Sequence, residues 1–350
     1  MRGWTIGATI QALVVAIGCS GTPTQVERGP APTDTIGVPL TDLGTRTYLG
    51  YTGGLYGDGA NQPPADHVAE GLLRAAAIQP LDAAGRPDPA GKYVMLSIGM
   101  SNVSQEFCGV GGYTECESWT FMGRAASDPA VDRTRLVIVN GARGGRVAET
   151  WDSPSDPNYD RVRDEGLRPL GLSEDQVQIA WMKHANAQPS TSLPDEDADA
   201  LALLESLGDI ARAVKTRYPN LQQLFVSSRI YAGFATTPLN PEPYAYETGF
   251  AVKWLIDAQI EQMRTGAVDP RARDLDYDDV APWLAWGPYL WAGDASSPRA
   301  DGFFWVRSEF EADGTHPART GEAKVAAELL AFFKTSPFTA CWFLAGRSCG

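Results

Sequence analysis

Histidine is scarce: the 350 residues hold three, His67, His184 and His316, and no two stand as His-x-His. A metal-dependent phosphoesterase gathers several histidine and aspartate ligands, so this composition argues against that class. Positive charge is also short. Lys and Arg total 29 against 43 Asp and Glu, a net charge of −14. That disfavours a nucleic-acid polyanion or an anionic membrane surface as an electrostatic partner. The glycine-rich stretch "NGARGGRVAETW" lacks the G-x-G-x-x-G spacing of a dinucleotide site. Long apolar runs are absent too. The first, Trp4 to Gly18, is shorter than the ~20 residues of a membrane-spanning helix and reads as a signal peptide over residues 1–18.

Cysteine is limited to five residues, each with a reading. Cys19 ends "AIGC", which resembles a bacterial lipobox, in which the cysteine carries the lipid of the mature chain. The residues up to 45, rich in Pro, Thr and Gly, suit a flexible tether. An exported protein anchored through Cys19, or otherwise a secreted one, is the expectation. Cys108, Cys116, Cys341 and Cys349 fall into two close pairs without C-x-x-C spacing. Local disulfides suit them better than zinc.

From residue 46 to 350 there is no internal repeat and no change of composition, so one domain is expected. Five apolar, β-branched runs recur: "YVMLSIGMS", "RLVIVNGA", "VQIAWMK", "LQQLFVSSRI" and "PWLAWGPYLW". Runs of this length suit strands buried on both faces. Helical stripes separate them, as in "DADALALLESLGDIARAVKTRYPN", where Leu203, Leu207, Ile210 and Val214 share one face. Strands alternating with helices predict a parallel sheet covered on both sides. Ligands of such folds bind beyond the carboxyl ends of the strands.

The residues just after each run therefore carry the chemistry. Gly99 and Ser101 follow the first. A serine at a helix start gains the dipole and free N–H groups that favour a nucleophile. Gly144 and Gly145 follow the second, free to turn N–H groups toward a ligand. Lys183, His184 and Asn186 follow the third, with Asn186 offering an amide donor. In "DGTHP", Asp313 stands three residues before His316, and Pro317 bars helix through the histidine. A carboxylate on that turn reaches one imidazole nitrogen and leaves the other to take a proton. His67, beside Asp66, reads as part of a helix cap.

In that order, Ser101, Gly145, Asn186 and the Asp313–His316 block resemble the signature of the SGNH (GDSL-like) hydrolase superfamily. "GMSN", "GGRVAETW" and W-x-K-x-x-N look most like its sialate O-acetylesterase and carbohydrate acetylesterase branch. The chain departs from that branch at Met100, where Asp or Gln is usual. It departs again at His184, where glycine is usual, and at Ala185 and Ala187, where an acid is usual. The resemblance implies a three-layer α/β/α, flavodoxin-like sandwich with a five-stranded parallel sheet. It implies a Ser101–His316–Asp313 triad, an oxyanion hole from the Ser101 and Gly145 N–H groups and the Asn186 amide, and an acyl-enzyme. It implies no metal and no organic cofactor.

The expected substrate is a small acyl ester, an acetyl group on a carbohydrate. Trp286, Tyr289 or Tyr246 would stack on a sugar. Asn102, Lys183, Arg143 and Arg229 would orient it. The alternatives are a lipase or lysophospholipase of the same superfamily, and a lipoprotein that holds glycans without cleaving them. No long amphipathic lid, which a lipase would want, is apparent.

Overall fold

The computed structural model describes residues 37–109 and 112–349, together with Met1 and Gly3. Apart from Met1 and Gly3, the expected signal peptide, Cys19 and the expected tether as far as residue 36 lie outside the described residues.

Five strands form one sheet: β1 (Tyr93–Gly99), β2 (Leu136–Asn140), β3 (Val177–Lys183), β4 (Gln223–Val226) and β5 (Trp283–Trp286). Their order is β2-β1-β3-β4-β5, and every pair is parallel. The flavodoxin-like expectation matches, because the strand order runs outward in opposite directions from the β1–β3 pair. Each strand falls within its apolar run, with β2 ending on Asn140 and β3 on Lys183. β4 and β5 are the most trimmed: Ser227, Ser228 and Arg229 already belong to the loop beyond β4, and Gly287 onward to that beyond β5.

Both faces of the sheet are covered, as the uninterrupted apolar runs require. Side chains alternate along β1. Val94, Leu96 and Ile98 join one core, packed with Leu203, Leu207, Ile210 and Val214 and with Phe250 and Leu255. Tyr93 and Met95 join the other, with Val103, Phe107, Val325, Leu329 and Phe333. Among the described residues the helices of seven residues or more are α1 (Ala65–Ala77), α2 (Ser101–Phe107), α3 (Phe121–Ser127), α4 (Asp199–Arg217), α5 (Tyr244–Thr265) and α6 (Arg319–Thr335). α4 and α5 cover the first face, and α1, α2, α3 and α6 contribute to the second.

The tether ends earlier than its composition suggests. Leu40 and Leu43 are buried in the first core, and the Leu40 N–H donates to the Tyr289 hydroxyl at 3.0 Å. A proline- and glycine-rich stretch hides two core leucines when they sit on a single helical turn, here Leu40–Leu43. Cys108 pairs with Cys116 and Cys341 with Cys349, as the spacing predicts.

Candidate active site

β1 delivers its last residue into a turn that only glycine fits. Gly99 has φ +153°, and a Cβ there would sit 2.7 Å from the Lys183 carbonyl oxygen. Met100 then takes extended geometry, and Ser101 opens α2. Ser101 is the first helical residue rather than a capping one, so its hydroxyl is free of the helix. Its Oγ lies 2.8 Å from His316 Nε2. His316 Nδ1 in turn lies 2.5 Å from Asp313 Oδ2. Ser101 thus meets a pair more than 200 positions further along the chain in one hydrogen-bonded line.

The turn holding the histidine is built by its own aspartate. Asp313 Oδ1 accepts the N–H groups of Thr315 and His316, both at 3.0 Å. Burial pushes the Asp313 carboxyl up, but the His316 ring and these two N–H groups outweigh it and hold the carboxyl below its ordinary range. Gly314 has φ +68°, and a Cβ there would stand 1.8 Å from the Phe234 carbonyl oxygen. The loop after β4 is thus pressed on the turn, and the Thr236 N–H donates to the Asp313 carbonyl at 2.9 Å. Asn102 Nδ2 donates to the Thr315 carbonyl at 3.0 Å, tying the helix that Ser101 opens to the turn that holds His316.

A cleft of about 620 Å³ opens over this line. Ser101, Gly144, Gly145, Asn186, Arg229, Thr315 and His316 are among its walls. The Arg143 N–H donates to the Gly99 carbonyl at 3.1 Å, which seats the glycine pair beside the serine. Gly145 has φ +74°, and Gly144 approaches most closely: a Cβ there would be 3.8 Å from Ser101 Cβ. Asn186 Nδ2 gives one hydrogen to the Asp199 carbonyl at 2.8 Å, so an amide donor has one left for a ligand. Its own carbonyl accepts from Asn240 Nδ2 at 2.6 Å. A second concavity of about 510 Å³, lined by Tyr51, Trp254 and Asp257, holds none of these groups.

The expected substrate contacts divide. Asn102 and Arg229 line the cleft. Lys183 does not: it is wholly buried and ion-paired with Glu106. Burial pushes the Lys183 ammonium down to about 8 and the Glu106 carboxyl up. A charge on the last residue of a central strand is enclosed from both faces, and only α2 brings it a partner. Trp286, Tyr289 and Tyr246 are core residues rather than a sugar platform. The Trp286 indole donates to the Leu55 carbonyl at 2.6 Å, and the Tyr246 hydroxyl to that of Val38 at 2.8 Å. The chain segment around Leu40 and Leu55 covers these rings. Arg143 stands outside the cleft, exposed, with its guanidinium 3.8 Å from Glu165. His67 is buried against Trp283, donating from Nε2 to the Leu284 carbonyl at 2.8 Å. His184 is enclosed with both ring nitrogens unpartnered, and burial pushes it down to about 3.

Sequence reasoning missed Thr315 and Asn240 on the cleft wall. Thr315 lies inside the "DGTHP" block, and its place between the aspartate and the histidine was the available signal. Asn240 carried none.

No family model matches the chain, and no curated protein matches it. Among solved structures it is similar to a salicylyl-acyltransferase from a tetracycline biosynthetic pathway, at 15% identity and a TM-score of 0.38. That match covers 72% of this chain and 58% of the acyltransferase, so the chain spans little more than half of that protein's length. It is similar to a GDSL-like lipase from Bacteroides thetaiotaomicron, at 11% identity and a TM-score of 0.38, covering 78% and 97% of the two chains. A two-domain esterase active on acetylated mannans matches at 10% identity and a TM-score of 0.37, over 78% of this chain and 55% of its own. These likenesses concern the fold.

Proposed function

We propose that the protein is an SGNH-type serine esterase that hydrolyses small acyl esters, with acetyl groups on a carbohydrate as the substrate class. The observation that carries this reading is the unbroken line Ser101 Oγ–His316 Nε2 and His316 Nδ1–Asp313 Oδ2 beneath an open cleft. Ser101 attacks the ester carbonyl while His316 takes its proton. Asp313 fixes the imidazole tautomer and stabilises the imidazolium. The oxyanion is met by the N–H groups of Ser101 and Gly145 and by the remaining hydrogen of Asn186 Nδ2. One such donor is worth ~3 kcal/mol of barrier. His316 then protonates the leaving alcohol, and water resolves the acyl-enzyme by the same route.

Asn102, Thr150, Asn186, Gln188, Arg229 and Asn240 offer a polar substrate hydrogen-bonding partners along the walls, beside the apolar Met100, Val147 and Leu239. The two disulfides suit an exported protein, and the proposal places it outside the cytoplasm, held by a lipid on Cys19. The test compares aryl acetate, butyrate and octanoate, then acetylated xylan against a phospholipid. Acetate is expected to be fastest and to be released from the polysaccharide, with a burst of aryl alcohol. Ser101→Ala should abolish turnover. Ser104→Ala should keep most of it, because Ser104 Oγ is turned inward, donating to the Gly109 carbonyl. Rates climbing to octanoate, with no acetate from any polysaccharide, would reject the carbohydrate reading and favour a lipase. Equal loss from both serine changes would reject the nucleophile.

A further inference from the structure

Two charged groups on the cleft wall are left without a task by the triad, Arg229 and Glu149; Glu149 is exposed, and Arg229 is the buried one. It stands three residues past β4, is 2% exposed and lines the cleft. Its Nε and Nη2 are enclosed without a hydrogen-bond partner among the described residues. Nη1 is therefore the guanidinium nitrogen left to face the cleft.

The acidic groups whose charge reaches it are Glu106, Glu242 and Asp313. None of them gives the Arg229 side chain a hydrogen bond. Glu106 gives Oε2 to Lys183, and its Oε1 is enclosed without a partner among the described residues. Glu242 accepts the N–H groups of Ala232 and Tyr246 and the indole of Trp291. Asp313 serves His316. A guanidinium held this way is costly to bury unless something else completes it. Thr315 Oγ1, buried and unpartnered in the same cleft, is a second unspent donor.

Resting on the esterase reading above, we propose that the ester cleaved here carries a carboxylate, bound by Arg229 at the wall of the cleft while Ser101 attacks the acyl group. A carboxylate compensates a buried cation, whereas a sugar hydroxyl offers it a dipole only. A single nitrogen facing the cleft suits a monoanion better than a phosphate dianion, which collects several donors. The carboxylate has two possible sources. On the alcohol side it is the acid group of an acylated uronic-type sugar, and on the acyl side it is the free end of a dicarboxylic half-ester.

The experiment measures kcat/KM for two matched pairs. The first is O-acetylated methyl glucuronide against O-acetylated methyl glucoside. The second is an aryl hemisuccinate against the aryl butyrate. In one pair the acidic member should be favoured about tenfold or more, which also tells the sources apart. Arg229→Gln should bring that ratio to one or below, and Arg229→Lys should leave it intermediate. Wild-type ratios at or below one in both pairs, or an unchanged ratio in Arg229→Gln, would overturn the proposal. Should Arg229→Gln fail to fold, the wild-type ratios decide alone.

If no ester is cleaved at all, the esterase reading fails but this one is still read by binding. Saturation-transfer NMR on the Ser101→Ala protein should then show glucuronate bound in preference to glucose and to inorganic phosphate. No preference for glucuronate would overturn the proposal there too.

Discussion

At the residue scale the site rests on one aspartate performing two tasks. Asp313 orients the imidazole through Oδ2 and folds the turn through Oδ1. Asp313→Asn keeps an acceptor for the turn but no longer enforces the imidazole tautomer. It should lower kcat by ~10³–10⁴-fold while leaving the far-ultraviolet spectrum unchanged. The pH profile follows in sign. Asp313 lies below the ordinary carboxylate range, so it stays ionised as acid is added. Activity should nonetheless fall with falling pH, because a protonated imidazole cannot take the serine's proton. A flat profile with chemistry rate-limiting would count against His316. Ser101, Asp313 and His316 were legible because each is marked locally, by a glycine turn, by spacing or by a helix-barring proline. Trp286, Tyr289 and Lys183 were misread as substrate contacts for the opposite reason. Standing at a strand end does not say which chain segment covers a side chain, and the segments that do lie far off in sequence.

At the scale of elements, the end of β3 concentrates two buried ionisable side chains in succession. Lys183→Met strands the Glu106 carboxylate and should cost ~3–5 kcal/mol in denaturant melts. The double change Lys183→Met with Glu106→Leu should recover most of that loss. If the double variant is no better than the single one, the pair is not what holds this strand end to α2. His184 acts through acid. Its folded pKa is depressed from 6.5 to about 3. The unfolded chain therefore binds the proton first, and stability is full above the ordinary imidazole range and lost as pH falls below it. The whole effect is on the order of 4–5 kcal/mol. His184→Leu should flatten the decline of stability between pH 7 and 4.5, and parallel curves for the two proteins would refute it. Strand and helix positions were well legible, since continuous apolar runs and 3.6-residue stripes are properties of the elements themselves. Leu40 and Leu43 were not, because a four-residue turn is too short to display a period.

For the whole molecule, the two disulfides lock short loops far apart in the chain. Each joins cysteines eight positions apart, a loop worth about 2.5 kcal/mol in the chain-entropy account. Cys341–Cys349 closes the end of the chain just after it docks. There the Ala345 N–H donates to the Ala130 carbonyl and the Asp132 N–H to that of Phe343. Replacing Cys341 and Cys349 by serine should lower the unfolding free energy by roughly that amount. Non-reducing peptide mapping should recover the two pairs, and any crossed linkage would refute the pairing.

The connection after β4 reaches several parts of the site at once. Arg229 lies at its start, Phe234 and Thr236 press on the Asp313 turn, and Asn240 holds Asn186. Selectivity and alignment therefore share one stretch of backbone. Such a stretch tolerates changes of letter but not of length. An insertion that reshaped the pocket would also shift His316 and Asn186 out of register. On the esterase proposal, attempts to retrain this protein on new esters should succeed through point substitutions there and fail through loop grafts, so its repertoire is constrained by the bracing of its cleft.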